Sequence, residues 1–190
     1  MTVDRAAARR AIADFLLALG HDPASSPELA GTPDRVADAY IDELLAGHEV
    51  DIPALLAEGS PSSHDGLVVL QDVFVTCVCP HHMLPARGTA TLAYVPGTRL
   101  FGLGTLVQLL DACSRRLVLQ EHICNDVVDA LMQHGAARGA FCALRLEHDC
   151  LSARGERRPE ARVLTTARAG SLPEAEVAQL LRMKGDPECT

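Results

Sequence analysis

A thiol and two imidazoles fall within four residues of one another in Cys77-Val78-Cys79-Pro80-His81-His82. Thiolate and imidazole together are the donor types that suit zinc. A second segment, Glu147-His148-Asp149-Cys150, offers a further imidazole and a further thiol. A structural zinc takes four protein ligands, whereas a catalytic one keeps three and leaves a position for water. Cys79, His82 and Cys150 would supply a Cys₂His set, leaving His81 and His148 for proton transfer. A closed site with Cys77 or His81 as fourth ligand satisfies the same spacing, and so does plain burial of the thiols. A third cluster, Ser114-Arg115-Arg116-Leu117-Val118-Leu119-Gln120-Glu121, also reads in two ways. It is a helix end with basic residues, followed by an acidic first turn. Alternatively, Gln120 and Glu121 bind a planar ligand with paired N–H donors, such as a guanine edge.

These segments need elements to carry them. Apolar residues at Ala8, Ile12, Phe15, Leu16 and Leu19 predict an amphipathic helix over residues 5–19. Thr32 followed by Pro33 predicts a capped second helix, striped by Val36, Ala37, Tyr40, Ile41, Leu44 and Leu45 and stopped at Gly47. From Leu67 the chain turns β-rich: LVVLQDVFVTCVC reads as one bulged strand or two short ones, and GTATLAYVP as the next. Helices are expected over residues 104–117 and 120–134. GAFCALRLEHDC and ARVLTTAR follow as strands, and PEAEVAQLLRM as a closing helix. The order predicts an α+β fold: an antiparallel sheet backed by two consecutive helices, with an N-terminal helical arm. The whole chain is read as one domain: an arm over 1–60, a core over 61–172, and a C-terminal helix and tail over 173–190.

Composition narrows the function. Of 190 residues, 48% are hydrophobic, enough for a real core. Seventeen basic against 25 acidic residues leave a net charge of −8, which argues against nucleic acid as a partner. No run is apolar enough for a membrane span, and the N-terminus lacks a clean signal core, so a cytoplasmic location is expected. Seven cysteines, an odd number, make a disulfide framework improbable.

Five segments in order resemble the GTP cyclohydrolase I family over nearly the whole chain: GTPDRVADAYIDELLAG, CPHHMLP, LAYVPG, SRRLVLQEHI and EHDCLSARGERR. The resemblance implies a T-fold, in which small antiparallel sheets from several subunits form a barrel. It further implies a decamer with active sites between subunits. It carries zinc ligation to Cys79, His82 and Cys150, proton transfer to His81 and His148, guanine recognition to Gln120 and Glu121, and a phosphate contact to Arg154. The family's triphosphate-holding Ser, Lys and Arg are replaced here by Gly104, Thr105 and Gln108. Pro80 stands where the family carries Glu, and the stretch Ala161-Arg162-Val163-Leu164-Thr165 also departs from its pattern.

The expectation is therefore a zinc-dependent hydrolase that opens the imidazole ring of a guanine-type purine at C8. With two clamp cations missing, the substrate expected first has fewer phosphates than GTP: a nucleoside, a monophosphate, guanine or 8-oxoguanine. The alternative is authentic GTP cyclohydrolase I, making 7,8-dihydroneopterin triphosphate for pterin supply. A non-catalytic zinc-stabilised assembly subunit ranks well behind both, because His81 and His148 would then have no task.

Overall fold

A computed structural model describes residues 3–182. Its N-terminal arm begins with α1 (Arg5–Ala18), capped by the Asp4 carboxylate accepting from the Ala7 amide. The single helix expected after Pro33 is three pieces in tandem. These are α2 (Thr32–Asp38), a wider π-turn over Ala39–Leu44, and a 3₁₀ turn over Ala46–Glu49. Gly31, with φ 74°, takes the cap position assigned to Thr32. Gly47 matters for closeness rather than as a stop. A Cβ there would lie 2.7 Å from the Asp111 carbonyl oxygen. Sequence reasoning missed α3 (Ile52–Ala57), although Asp51 caps it and Pro53 sits in its first turn.

The core follows in the order expected. Strands β1 (Ser60–Pro61) and β4 (Arg99–Leu100) pair with each other as a short ribbon. The main antiparallel sheet runs β2 (Val68–Val78), β3 (Pro85–Val95), β5 (Gly139–His148) and β6 (Val163–Gly170), in that spatial order. β2 is one strand with a bulge between Leu70 and Val73, where Asp72 has φ 58°. Helices α4 (Leu103–Ser114) and α5 (Gln120–Gln133) lie against one face of this sheet. Leu106, Leu109, Leu110 and Cys113 of α4, and Ile123, Cys124, Val127 and Leu131 of α5, are buried against alternate residues of the strands. On the other face α7 (Glu174–Arg182) brings Val177 against Ala93 and Phe141. The closing helix was expected to reach Met183; that residue and the tail beyond it lie outside the described residues. No helix among those described is long and apolar enough to cross a membrane.

Register decides what meets what. Val78 pairs with Pro85 and Ala86 with His148, so β2 ends, β3 begins and β5 ends at one edge of the sheet. Strand β5 stops at His148, and the four-residue turn α6 (Asp149–Ser152) follows, placing Cys150 on a helical turn and not in the strand. The 79–84 loop and α6 are therefore neighbours because the ladder puts them at the same end.

Candidate metal and purine site

Cys79, His82 and Cys150 converge at that end, each offering a donor atom, with all three atoms within 4.8 Å of one another. Among the described residues this is the one group of three or more metal-ligating side chains so placed. Cys79 Sγ lies 3.9 Å from His82 Nδ1, close to the roughly 3.5–3.8 Å that separates two donors on one tetrahedral zinc. Burial pushes the Cys150 thiol up, and the neighbouring Cys79 adds to it, with Arg154 acting in the opposite direction. Two sulfurs and an imidazole nitrogen so close together are the ligand types that zinc takes. The donor set fits zinc.

Neither proposed fourth ligand joins the cluster. Cys77 points into the core under the helices, 1% exposed, and burial raises its pKa to about 12. It is a packing residue. His81 stands exposed at the tip of the loop, its ring 6.2 Å from that of His82 and nearly perpendicular to it.

His148 is held from the helix side. Its side chain shares a face with Ala86 and Cys77, and its Nε2 lies 2.7 Å from Oε1 of Gln120. Gln120 begins α5 and is 2% exposed. Its Nε2 donates to the carbonyls of Leu144 (3.2 Å) and Val163 (2.9 Å) and to Thr165 Oγ1 (3.1 Å). Two of those three partners are carbonyls, which only accept, so the amide nitrogen must face them and the amide oxygen must face His148. His148 therefore carries its proton on Nε2 and presents Nδ1 as its free nitrogen. Partial burial lowers the pKa of His148, and the Glu121 carboxylate opposes that shift.

The side chain of Gln120 is thus engaged inside the chain, whereas Glu121, one residue on, is exposed at the first turn of α5. The helix N-terminus favours a carboxylate there. Any part Gln120 takes in holding a ligand falls to its backbone. Its interior role was missed, yet a signal existed: Gln120, Cys124, Val127 and Leu131 follow helical spacing on one buried stripe.

Two ion pairs brace the strand end on the opposite face: Arg87 with Asp149 at 3.4 Å and Arg162 with Glu147 at 3.1 Å. Arg154 is exposed just beyond α6. Gly104, Thr105 and Gln108 occupy the first two turns of α4, with Gly104 and Gln108 exposed. A Cβ added at Gly104 would touch nothing within 4 Å. Neither its backbone nor its surroundings demand glycine.

A sulfur–imidazole donor set of the kind that can hold a metal ion thus lies beside a histidine of fixed tautomer, on an antiparallel α+β scaffold. The GTP cyclohydrolase I family model matches residues 8–184. GTP cyclohydrolase 1 of Leifsonia xyli is 38% identical over 96% of each chain. That of Thermoanaerobacter pseudethanolicus is 31% identical over 96% of this chain and 99% of its own. The enzyme of Streptomyces coelicolor is 37% identical, covering 89% of this chain and 84% of its own. The chain belongs to the GTP cyclohydrolase I family. It is accordingly a hydrolase of the class that acts on C–N bonds of cyclic amidines.

Proposed function

We propose that this chain hydrolyses the imidazole ring of GTP at C8, yielding 7,8-dihydroneopterin triphosphate and formate. The observation that carries the reading is the Cys79, His82 and Cys150 donor set with His148 fixed beside it, in a chain whose relatives carry the name GTP cyclohydrolase 1. Cys79, His82 and Cys150 would hold zinc, which would supply Lewis acidity there. Glu121 accepts the N1–H and amino protons of guanine, a pairing that adenine, with an acceptor at N1, does not offer. His81, on the exposed loop tip, delivers a proton to N7. His148 moves protons through Nδ1 on the sugar side, its ring kept still by Gln120. Arg154 meets a phosphate. Holding these groups against one ring face replaces a chance encounter with an aligned one.

Several copies are needed to complete the molecule in this reading. Both outer strands of the sheet, β2 and β6, expose a large apolar side chain, Phe74 at 66% and Leu164 at 61%. Strand edges of this kind pair with other chains. A homo-oligomer follows, a decamer by resemblance, with sites at the seams and a cytoplasmic location.

A second reading rests on one observation, the Gly104, Thr105 and Gln108 departures at the start of α4. Without the clamp cations, a substrate with fewer phosphates serves as well as GTP. Mass spectrometry of products from GTP, GMP, guanosine, guanine and 8-oxoguanine, with zinc-loaded protein in one buffer, separates the two. An advantage for GTP above about tenfold in kcat/KM, or 1.4 kcal/mol, supports the first; a smaller one supports the second. No ring opening of any of them refutes both.

A further inference from the structure

The 79–84 loop carries Cys79, His81 and His82, yet it is held by few bonds. Pro80 has no N–H, and Pro80, His81, His82 and Met83 are all exposed. Two backbone bonds close its base: the Cys79 amide donates to Leu84, and the Met83 amide to Cys79, each at 2.9 Å. Met83 stands in the left-handed region, φ 54°, which a residue with a Cβ adopts only when its surroundings hold it there. The Met83 carbonyl accepts from the hydroxyl of Tyr40 at 2.6 Å.

Tyr40 comes from a different part of the chain, the π-turn of the N-terminal arm. The turn is itself anchored. The Leu45 amide donates to the Tyr40 carbonyl, and two residues later the Gly47 amide donates to the carbonyl of Arg115. The Arg116 guanidinium in turn donates to the Gly47 carbonyl. The Arg116 carbonyl also accepts from the amide of Val78, the last residue of β2 before the loop. The arm thus grips the base of the loop through Gly47 and its far side through Tyr40. A π-turn widens the helix, and such turns often sit at functional places.

We infer that Tyr40 is a positioning residue for the metal site, its hydroxyl holding the Met83 carbonyl so that Cys79 and His82 keep their approach. The inference rests on the zinc reading above. The test is Tyr40→Phe in the full chain, which removes one oxygen from a half-buried side chain. Zinc content is measured first, then zinc release to a chromogenic chelator, together with kcat, KM and the melting temperature. Cys150→Ser serves as the reference for a broken site. The expected result is full folding and zinc release faster by about tenfold, roughly what one lost hydrogen bond allows. kcat should fall while KM stays within about twofold. A lower melting temperature with native zinc release and native kcat overturns the inference, since that is a stabilising bond and nothing more. Native protein that retains no zinc, or Cys150→Ser that retains all of it, instead overturns the zinc reading, and the inference with it.

Discussion

Replacing Gln120 with Met keeps the volume of the side chain and removes every one of its hydrogen bonds. Three of them lie inside the molecule, to Leu144, Val163 and Thr165. At a net ~0.5–1.5 kcal/mol each, their loss amounts to about 2–4 kcal/mol of stability. For a domain of this length that is roughly 5–15 °C in Tm, so the variant should still fold at room temperature. The fourth bond, to His148 Nε2, decides the chemistry. Once freed, the ring rotates and either nitrogen can carry the proton. Turnover should then fall by about 10², the penalty for misplacing one reacting group, and no further than the ~10²–10⁴ that general acid–base catalysis contributes. A residue acting through His148 changes kcat and leaves KM nearly alone. The double variant Gln120→Met, His148→Ala should be no slower than His148→Ala by itself, because groups that work as a unit do not add. If instead KM for the guanine substrate rises while kcat holds, and the two changes add, Gln120 contacts the ligand directly and the positioning argument is refuted.

Three further outcomes are expected. Cys150→Ser should lose zinc and activity together, by metal analysis and product assay, since two protein ligands do not hold the ion. His81→Ala should keep its zinc and turn over ~10²–10⁴ more slowly, because His81 lies outside the donor cluster; zinc loss in this variant would make it a ligand. Restoring the clamp with Thr105→Lys and Gln108→Arg should lower KM for GTP relative to guanosine by about thirtyfold, at about 1 kcal/mol for each solvent-screened charge. An unchanged GTP-to-guanosine ratio would mean that phosphates do not reach α4.

The cluster of three donor side chains was legible in the sequence because it is written in short segments: Cys79 and His82 are three residues apart, and Cys150 lies two beyond His148. What joins the two segments is the ladder, Val78 opposite Pro85 and Ala86 opposite His148, and spacing along the chain carries no register. The strand expected to run on to Cys150 ends earlier for a local reason. Backbone groups after His148 turn into α6, where the Ser152 hydroxyl donates to the His148 carbonyl. Helix α2 was expected to run straight to Gly47, and periodicity alone supports that. The π-turn that follows is set by long-range bonds, from Tyr40 to Met83 and from Gly47 to Arg115, which no window of the sequence contains.

Gln120 shows the same division from the other side. Its type suits a ligand contact, and its neighbour Glu121 is placed for one. Yet its position on the stripe with Cys124, Val127 and Leu131 already commits it to the interior. An amide buried there must find partners for both ends. The acceptors its nitrogen meets include the carbonyls of β5 and β6, which leaves its oxygen facing His148 at the strand end. Burial fixes the amide, the amide fixes the imidazole, and the imidazole keeps one nitrogen free for chemistry. In the proposed reading the buried amide thus supports His148 from behind, and helical spacing alone is enough to draw the stripe.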